Sequence, residues 1–540
     1  MLSMNCSYLL FFFICFSART RICGASSSFL QEPIQVEIIT VGNIYSNVSL
    51  SNLPYVAPGM IVALDQLRQT FAHRANFTHT LLYDKRYTSC PLFTDNVDFL
   101  VAEYFYTRRK TNSNMTVFIG VGCTERTAMG KLISGWNAFM TIGGTAETIF
   151  RNKTLYPNVV LAGNNAVKSM HNIYTKFFQR FLWTSVYILL DASATPVHLL
   201  LIQNFVSGLA AKGFRVKFAN TNMGNPEKIN LGGILRDMRI SARVVVFLGH
   251  ASDLRKFMLQ VKRAQMTNGE YVYLAHEPFR HRSFYGNYTW KYGDKFDEEA
   301  QLAYQSVFLV TFPQDSSSNG RLVGLYETFT NISKHYFNFT YAPLETPNPF
   351  VTAAYEDVIL FGHVLEETLN DPSRVVDLND GSAFARRYWN RTFWLDTGPI
   401  EFDEVGERKQ PLIIQQFQKG GVWPTTIMTL DASANEFVDV ASISWVAPFP
   451  PPNEPPCGFL GANVICWKKD AYFTIVIASV MSVLLVLMLL LLLWARIWRR
   501  SLLQDVPKSF GWLDFQVQGD LIKPRPQQRM VDRYSRSDYR

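Results

Sequence analysis

Between residues 34 and 420, short runs of β-branched and aromatic residues alternate with longer stretches whose apolar positions recur every three or four residues. Ile34–Val41 (IQVEIITV) predicts a strand. Pro58–Phe71 predicts a helix, with Pro58 and Gly59 at its start and Ile61, Leu64 and Leu67 on one face. Further strands are predicted at Thr116–Gly120, Ala138–Gly143, Val186–Leu190, Arg215–Ala219, Arg243–Leu248 and Tyr271–Ala275. Ser252–Gln265 predicts a helix capped by Ser252, with Leu254, Phe257, Met258 and Val261 at helical spacing. Strands alternating with helices of this length predict parallel sheets covered by helices. Two such sheets in succession give a two-lobed α/β protein, in which ligands bind at strand C-terminal ends or in the crevice between lobes. Polar residues at predicted strand ends are the candidate crevice groups: Thr124, Thr145, Asn164, His250 and Glu277.

Two apolar segments break this pattern. Leu9–Phe16 (LLFFFICF) is too short to span a bilayer as a helix, and small residues follow at Gly24, Ala25 and Ser26. Residues 1–24 therefore predict a cleaved signal peptide, although no Lys or Arg precedes the apolar core. Ala471–Trp494 holds no charge and is long enough to cross the hydrocarbon core. Lys468 and Lys469 precede it and Arg496, Arg499 and Arg500 follow, which predicts an extracellular N-terminus and a cytoplasmic C-terminus at the plasma membrane. The expected order is a bilobed ectodomain over 34–444, a stalk over 445–470, a membrane helix over 471–494 and a short basic tail over 495–540. The stalk is predicted from WVAPFPPPNEPP, whose six prolines favour an extended, semi-rigid chain.

Charge and cysteine usage sharpen this picture. The formal net charge is +8, but residues 496–540 carry ten Lys/Arg against five Asp/Glu. The ectodomain is thus near neutral, and a nucleic-acid partner is not indicated. Eight Asn-x-Ser/Thr sequons, at Asn47, Asn76, Asn114, Asn152, Asn287, Asn331, Asn338 and Asn390, lie between the apolar segments, as expected of a glycosylated lumenal domain. Four cysteines remain beyond the signal: Cys90, Cys123, Cys457 and Cys466. They allow three pairings, of which proximity in sequence favours Cys90–Cys123 and Cys457–Cys466. No His or second Cys stands at metal-ligand spacing, so no metal is expected. Gly120-Val121-Gly122 lacks the third glycine of a dinucleotide fingerprint, with Glu125 in its place, and is read as a tight turn. The histidines form no HExxH pair, and no Gly-x-Ser-x-Gly elbow is present.

Several stretches together carry a resemblance. They are Gly120–Cys123 (GVGC), Arg243–Phe279, Phe296–Thr311 (FDEEAQLAYQSVFLVT), Tyr388–Arg408, and Trp445–Cys466 with its Trp, prolines, Cys-Gly-Phe and second Cys. On these residues the ectodomain resembles the receptor ligand-binding region (ANF receptor) shared by natriuretic-peptide receptors and invertebrate receptor guanylyl cyclases. The resemblance implies the type I periplasmic-binding-protein fold, the two disulfides named above, and a homodimer or a heterodimer with related receptors. It also implies a structural chloride at the Gly122–Cys123 peptide, where strand-end N–H groups can hold an anion. In peptide-binding relatives the ligand sits between two ectodomains, which would make the crevice residues structural.

The departures matter as well. The further mid-chain disulfide of natriuretic receptors has no counterpart, and Gly406-Glu407-Arg408 stands where the family carries Gly-Asp-Arg. No kinase-type glycine loop, His-Arg-Asp or Asp-Phe-Gly motif follows the long apolar segment. The expectation is therefore a receptor without an enzyme in this chain, which binds an extracellular peptide or small molecule and transmits or clears it. The alternatives are the sensor part of a receptor guanylyl cyclase and a structural co-receptor glycoprotein.

Overall fold

The computed structural model describes residues 32–504 except 46, 48, 124–126, 145–147, 165–166, 314–319, 344, 372–377, 462 and 464–467. The expected signal peptide, most of the basic tail, Thr124, Thr145 and Cys466 lie outside the described residues.

The first lobe is built on a parallel sheet of β1 (Ile34–Val41), β2 (Ala75–Leu82), β3 (Met115–Gly120), β4 (Phe139–Ile142) and β5 (Val159–Val160), in the order β2-β1-β3-β4-β5. Both faces are covered, so β1 reads as an almost continuous buried run. Val36 and Ile38 pack into a core with Val56, Met60 and Val358, whereas Ile39 and Val41 join Leu100, Val101 and Ile133 on the other side.

The helix expected from Pro58 begins earlier, at Leu53, and runs to Thr70 with Pro58 inside it. Proline has no N–H to give the carbonyl four residues back. That carbonyl, of Pro54, accepts instead from the Ser333 hydroxyl at 3.0 Å. Gly59 lets the helix Pro349–Asn370 approach closely, since a Cβ there would lie 2.5 Å from the Val351 carbonyl oxygen.

The second lobe holds β6 (Ser185–Asp191), β7 (Arg215–Thr221), β8 (Val244–Leu248), β9 (Val272–His276) and β10 (Val307–Thr311). Beyond them come a hairpin of β11 (Thr392–Leu395) and β12 (Gly398–Glu401), and then β13 (Leu412–Gln416), β14 (Thr425–Leu430) and β15 (Phe437–Asp439). The second sheet runs β15-β14-β13-β10-β9-β8-β6-β7. Its first five strands in sequence are parallel, as expected, and β13–β15 add an antiparallel edge. The cause is the chain path. After β10 the helices Gly320–Phe337 and Pro349–Asn370 pack on the first lobe's Leu53–Thr70, and the chain re-enters the second sheet beside β10. The fold is therefore a two-lobed α/β architecture of the periplasmic-binding-protein kind.

The helix Ala251–Arg263 is capped by His250 rather than Ser252. The His250 ring nitrogen Nδ1 accepts from the Ser252 N–H at 3.3 Å. The start of the expected stalk is docked rather than free. Trp445 packs on Phe181 and Phe308, and Phe459 lies under the guanidinium groups of Arg215 and Arg243.

Separately, Lys468–Gln504 forms one helix, of which Phe473–Ser501 is long and apolar enough to cross a membrane.

Candidate functional site

The second lobe gathers its chemistry at the C-terminal ends of the parallel strands. Asp191, at the end of β6, accepts from the Ser193 N–H and hydroxyl through Oδ1 and from the Met223 N–H through Oδ2. The Ser193 hydroxyl in turn accepts from the His250 N–H at 2.9 Å. The His198 Nε2–H donates to the His276 carbonyl at 3.0 Å, so Nδ1 is free to accept from the Thr195 N–H. Burial pushes the His198 imidazole down to about 4 and keeps it neutral. The Tyr288 hydroxyl lies 2.9 Å from the Gly249 carbonyl and 3.2 Å from that of His276, which ties the ends of β8 and β9 together.

Glu277 follows β9 directly. Its backbone N–H donates to Val310, and its side chain is only 4% exposed. Burial pushes its carboxyl up to about 7, against the pull of the nearby Arg280 charge. The side chain lines a cavity of about 100 Å³ with Arg280, Arg282, Gly286, Tyr288 and Trp423. The Arg280 guanidinium lies over the Trp423 ring, 5.6 Å from its centre. Gly286 has φ +84, and a Cβ there would come within 2.5 Å of the His250 ring.

From the first lobe's side, residues 341–350 meet this region. Phe350 packs edge-on against Phe279 at 5.3 Å, and Glu345 accepts from the Ser283 hydroxyl. Asn348 caps the helix Pro349–Asn370 by accepting from the Phe350 N–H. Asn164 donates to the Pro349 carbonyl at 2.8 Å.

His250 and Glu277 are thus brought to one loop, and Asn164 stands at the helix start that faces it. His250 is committed to capping. Sequence reasoning missed Arg280 and Trp423, which lie far apart in the chain and meet only in the fold. It also missed Asp357, an acid buried inside the helix Pro349–Asn370. Thr141 donates to Asp357 Oδ1 at 2.7 Å, Oδ2 has no hydrogen-bond partner among the described residues, and burial pushes the carboxyl up to about 7.

Cys90 and Cys123 form the expected disulfide. Cys457 is disulfide-bonded, while Cys466 lies outside the described residues. At the adjoining Gly122, φ is +84 and the Ser51 hydroxyl donates to the carbonyl at 3.2 Å. The Asn52 Oδ1 faces the same glycine, buried and with no hydrogen-bond partner among the described residues.

Seven of the sequon asparagines are exposed, and Asn287, at the cavity, is half-buried. A second surface stands out on the first lobe. On the helix Val97–Thr107, Phe99 is 78% and Tyr106 73% exposed. Beside them Phe105 stacks on Trp136 at 3.7 Å, and the Trp136 indole N–H donates to the Tyr106 hydroxyl.

A two-lobed fold with polar groups at its strand ends defines a ligand-binding domain. Residues 56–418 match the model of the receptor family ligand binding region, and the chain belongs to this family. It is 30% identical over 187 residues to rat atrial natriuretic peptide receptor 3, covering 35% of this chain and 33% of that protein. It is 22% identical over 432 residues to rat atrial natriuretic peptide receptor 2, covering 75% of this chain and 38% of that protein. To the Caenorhabditis elegans receptor-type guanylate cyclase gcy-28 it is 23% identical over 289 residues, 52% of this chain and 21% of that protein. The chain spans a third to about half the length of the natriuretic peptide receptor 3 relatives it matches.

Proposed function

We propose that this chain is a single-pass cell-surface receptor that captures an extracellular ligand, peptide or small molecule, on its bilobed ectodomain. The observation that carries this reading is the Glu277 cavity at the end of β9, beside the 341–350 segment that comes from the first lobe. The cavity is lined by the second lobe alone, but the loop that forms it packs against the first lobe through Phe279 on Phe350 and Ser283 on Glu345, so a ligand that moves this loop binds open and closed arrangements unequally and shifts their balance. The docked segment from Trp445 to Phe459 makes the chain leading toward the apolar helix follow the second lobe. The basic residues after the span support an extracellular N-terminus. A second copy of the chain covers the Phe99–Tyr106 stripe and forms a dimer.

The likeness to natriuretic peptide receptors supports a peptide ligand, and the likeness to a receptor guanylate cyclase supports a second reading, the sensor of a cyclase.

The test uses the full chain displayed on cells and incubated with size-fractionated extracellular peptides and metabolites. Native mass spectrometry of the recovered receptor is expected to show a discrete adduct that saturates with dose. A surface-expressed chain with no saturable adduct from any fraction contradicts the reading.

A further inference from the structure

The following rests on the receptor reading and names the chemistry its cavity selects. Glu277 is anchored through its own backbone at the end of β9, and its carboxylate faces the cavity floor. The described residues give that carboxylate no hydrogen-bond donor; burial and the charge of Arg280 are what act on it. Buried carboxylates are ordinarily paired, because removing an anion from water without compensation is unfavourable by several kcal/mol in typical cases. The obvious intramolecular candidate, Arg280, is exposed and spends its guanidinium on the Trp423 face. Arg280 acts on the acid through its charge alone, with no hydrogen bond between them among the described residues. Tyr288, Trp423 and Pro424 supply the apolar part of the wall, and His281, Asn287 and the exposed Arg280 and Arg282 complete the lining. The apolar part limits water beside the buried acid and strengthens a charge pair formed there.

We infer that the cavity takes the cationic head of a ligand, a primary ammonium or guanidinium on a short alkyl stem, with Glu277 as its counter-ion. Trp423 and Tyr288 flank the stem. Arg280 and Arg282, the two exposed cations of the lining, disfavour cations in general and so restrict entry to ligands whose head reaches the buried acid. A free amine and a basic side chain of a peptide present the same chemistry, and the experiment separates them.

The full chain in detergent is titrated with n-butylammonium, 1-butanol and butyrate, followed by ligand-observed NMR. The same titration compares acetyl-Gly-Lys-Gly-amide with its norleucine counterpart. Binding of n-butylammonium and not of butanol or butyrate is expected, weakened at least tenfold by Glu277→Gln. Tight binding of the lysine peptide but not the norleucine peptide assigns the head to a peptide side chain; binding of the amine alone assigns a free amine. Arg280→Gln, at an exposed position, is expected to tighten n-butylammonium severalfold, and it provides the test if Glu277→Gln fails to fold. Equal binding of amine, alcohol and acid overturns the inference, as does an affinity that neither substitution changes. Saturable capture of an extracellular fraction that survives Glu277→Gln unchanged sinks this inference and leaves the receptor reading standing. Amine binding at Glu277 with no capture from any fraction does the reverse.

Discussion

The Trp183 indole N–H donates to the Pro451 carbonyl at 2.7 Å, so the proline-rich segment is held to the second lobe at the start of β6. Asn453 reinforces the contact by accepting from the Thr184 and Ser185 N–H groups. Trp183→Phe keeps the ring and removes the donor, leaving the Pro451 carbonyl unpaired, at a cost of about 1–2 kcal/mol. The expected result is faster amide exchange through 445–459 with β1 unaffected. Unchanged exchange there would show that the segment is held by other contacts.

Cys90 and Cys123 close a loop with a sequence separation of 33 beneath the strand end that carries Gly122. Chain-entropy arguments assign a loop of this size about 3–4 kcal/mol. The double substitution to alanine should therefore lower the unfolding free energy by that amount, read from the shift of the chemical-denaturation midpoint.

Asp357 gives a pH dependence with a definite sign. Its folded pKa, about 7, lies above the ordinary 3.8, so the folded chain keeps a proton that the unfolded chain has released. Stability from this group therefore falls as pH rises from about 4 to about 7 and then levels off. Asp357→Asn still accepts from Thr141 and has no proton to lose. The variant should match the wild type near pH 4 and exceed it by roughly 4 kcal/mol at pH 8. A difference that does not vary with pH would mean that the carboxyl is ionised in the fold.

Arg151 links the first lobe to the loop after β12, with Asp403 and Glu407 as buried partners and Glu404 at the surface. Arg151→Met leaves the buried Glu407 without its ion-pair partner and Asp403 with Lys168 alone, and is expected to destabilise by about 3 kcal/mol. Adding Glu407→Gln should recover part of the loss in a double-mutant comparison, and strict additivity would argue against a shared network.

Seven of the ten parallel strands were readable, because runs such as RVVVFL and IQVEIITV have one meaning when both faces are buried, whereas β2, β5 and β10 were not read as strands. The start of the Leu53–Thr70 helix was not, because Pro54 and Pro58 look like punctuation until Ser333 is seen to serve the freed carbonyl. The antiparallel direction of β13 was equally hidden. A five-residue run such as LIIQQ reads the same either way, and its direction is set by the chain's return from the first lobe. Glu277 was legible from topology alone, as a polar residue at a strand end. Its setting was not, since Arg280 and Trp423 meet through the fold and not through any spacing. Asp357 was invisible for a related reason: an acid in a helix reads as solvated until its face is known. The docking of Trp445 and Pro451 was masked by composition, because six prolines suggest an extended tether whether or not a surface waits for it.

The most direct test of ligand capture between lobes is amide hydrogen exchange of the full chain with and without its captured fraction. The account predicts slowed exchange in both 277–288, which lines the cavity, and 345–350, which packs on that segment from the first lobe. Bound ligand that leaves both segments unchanged, or slows exchange only on the Val97–Thr107 helix, would contradict it and move the ligand to another face.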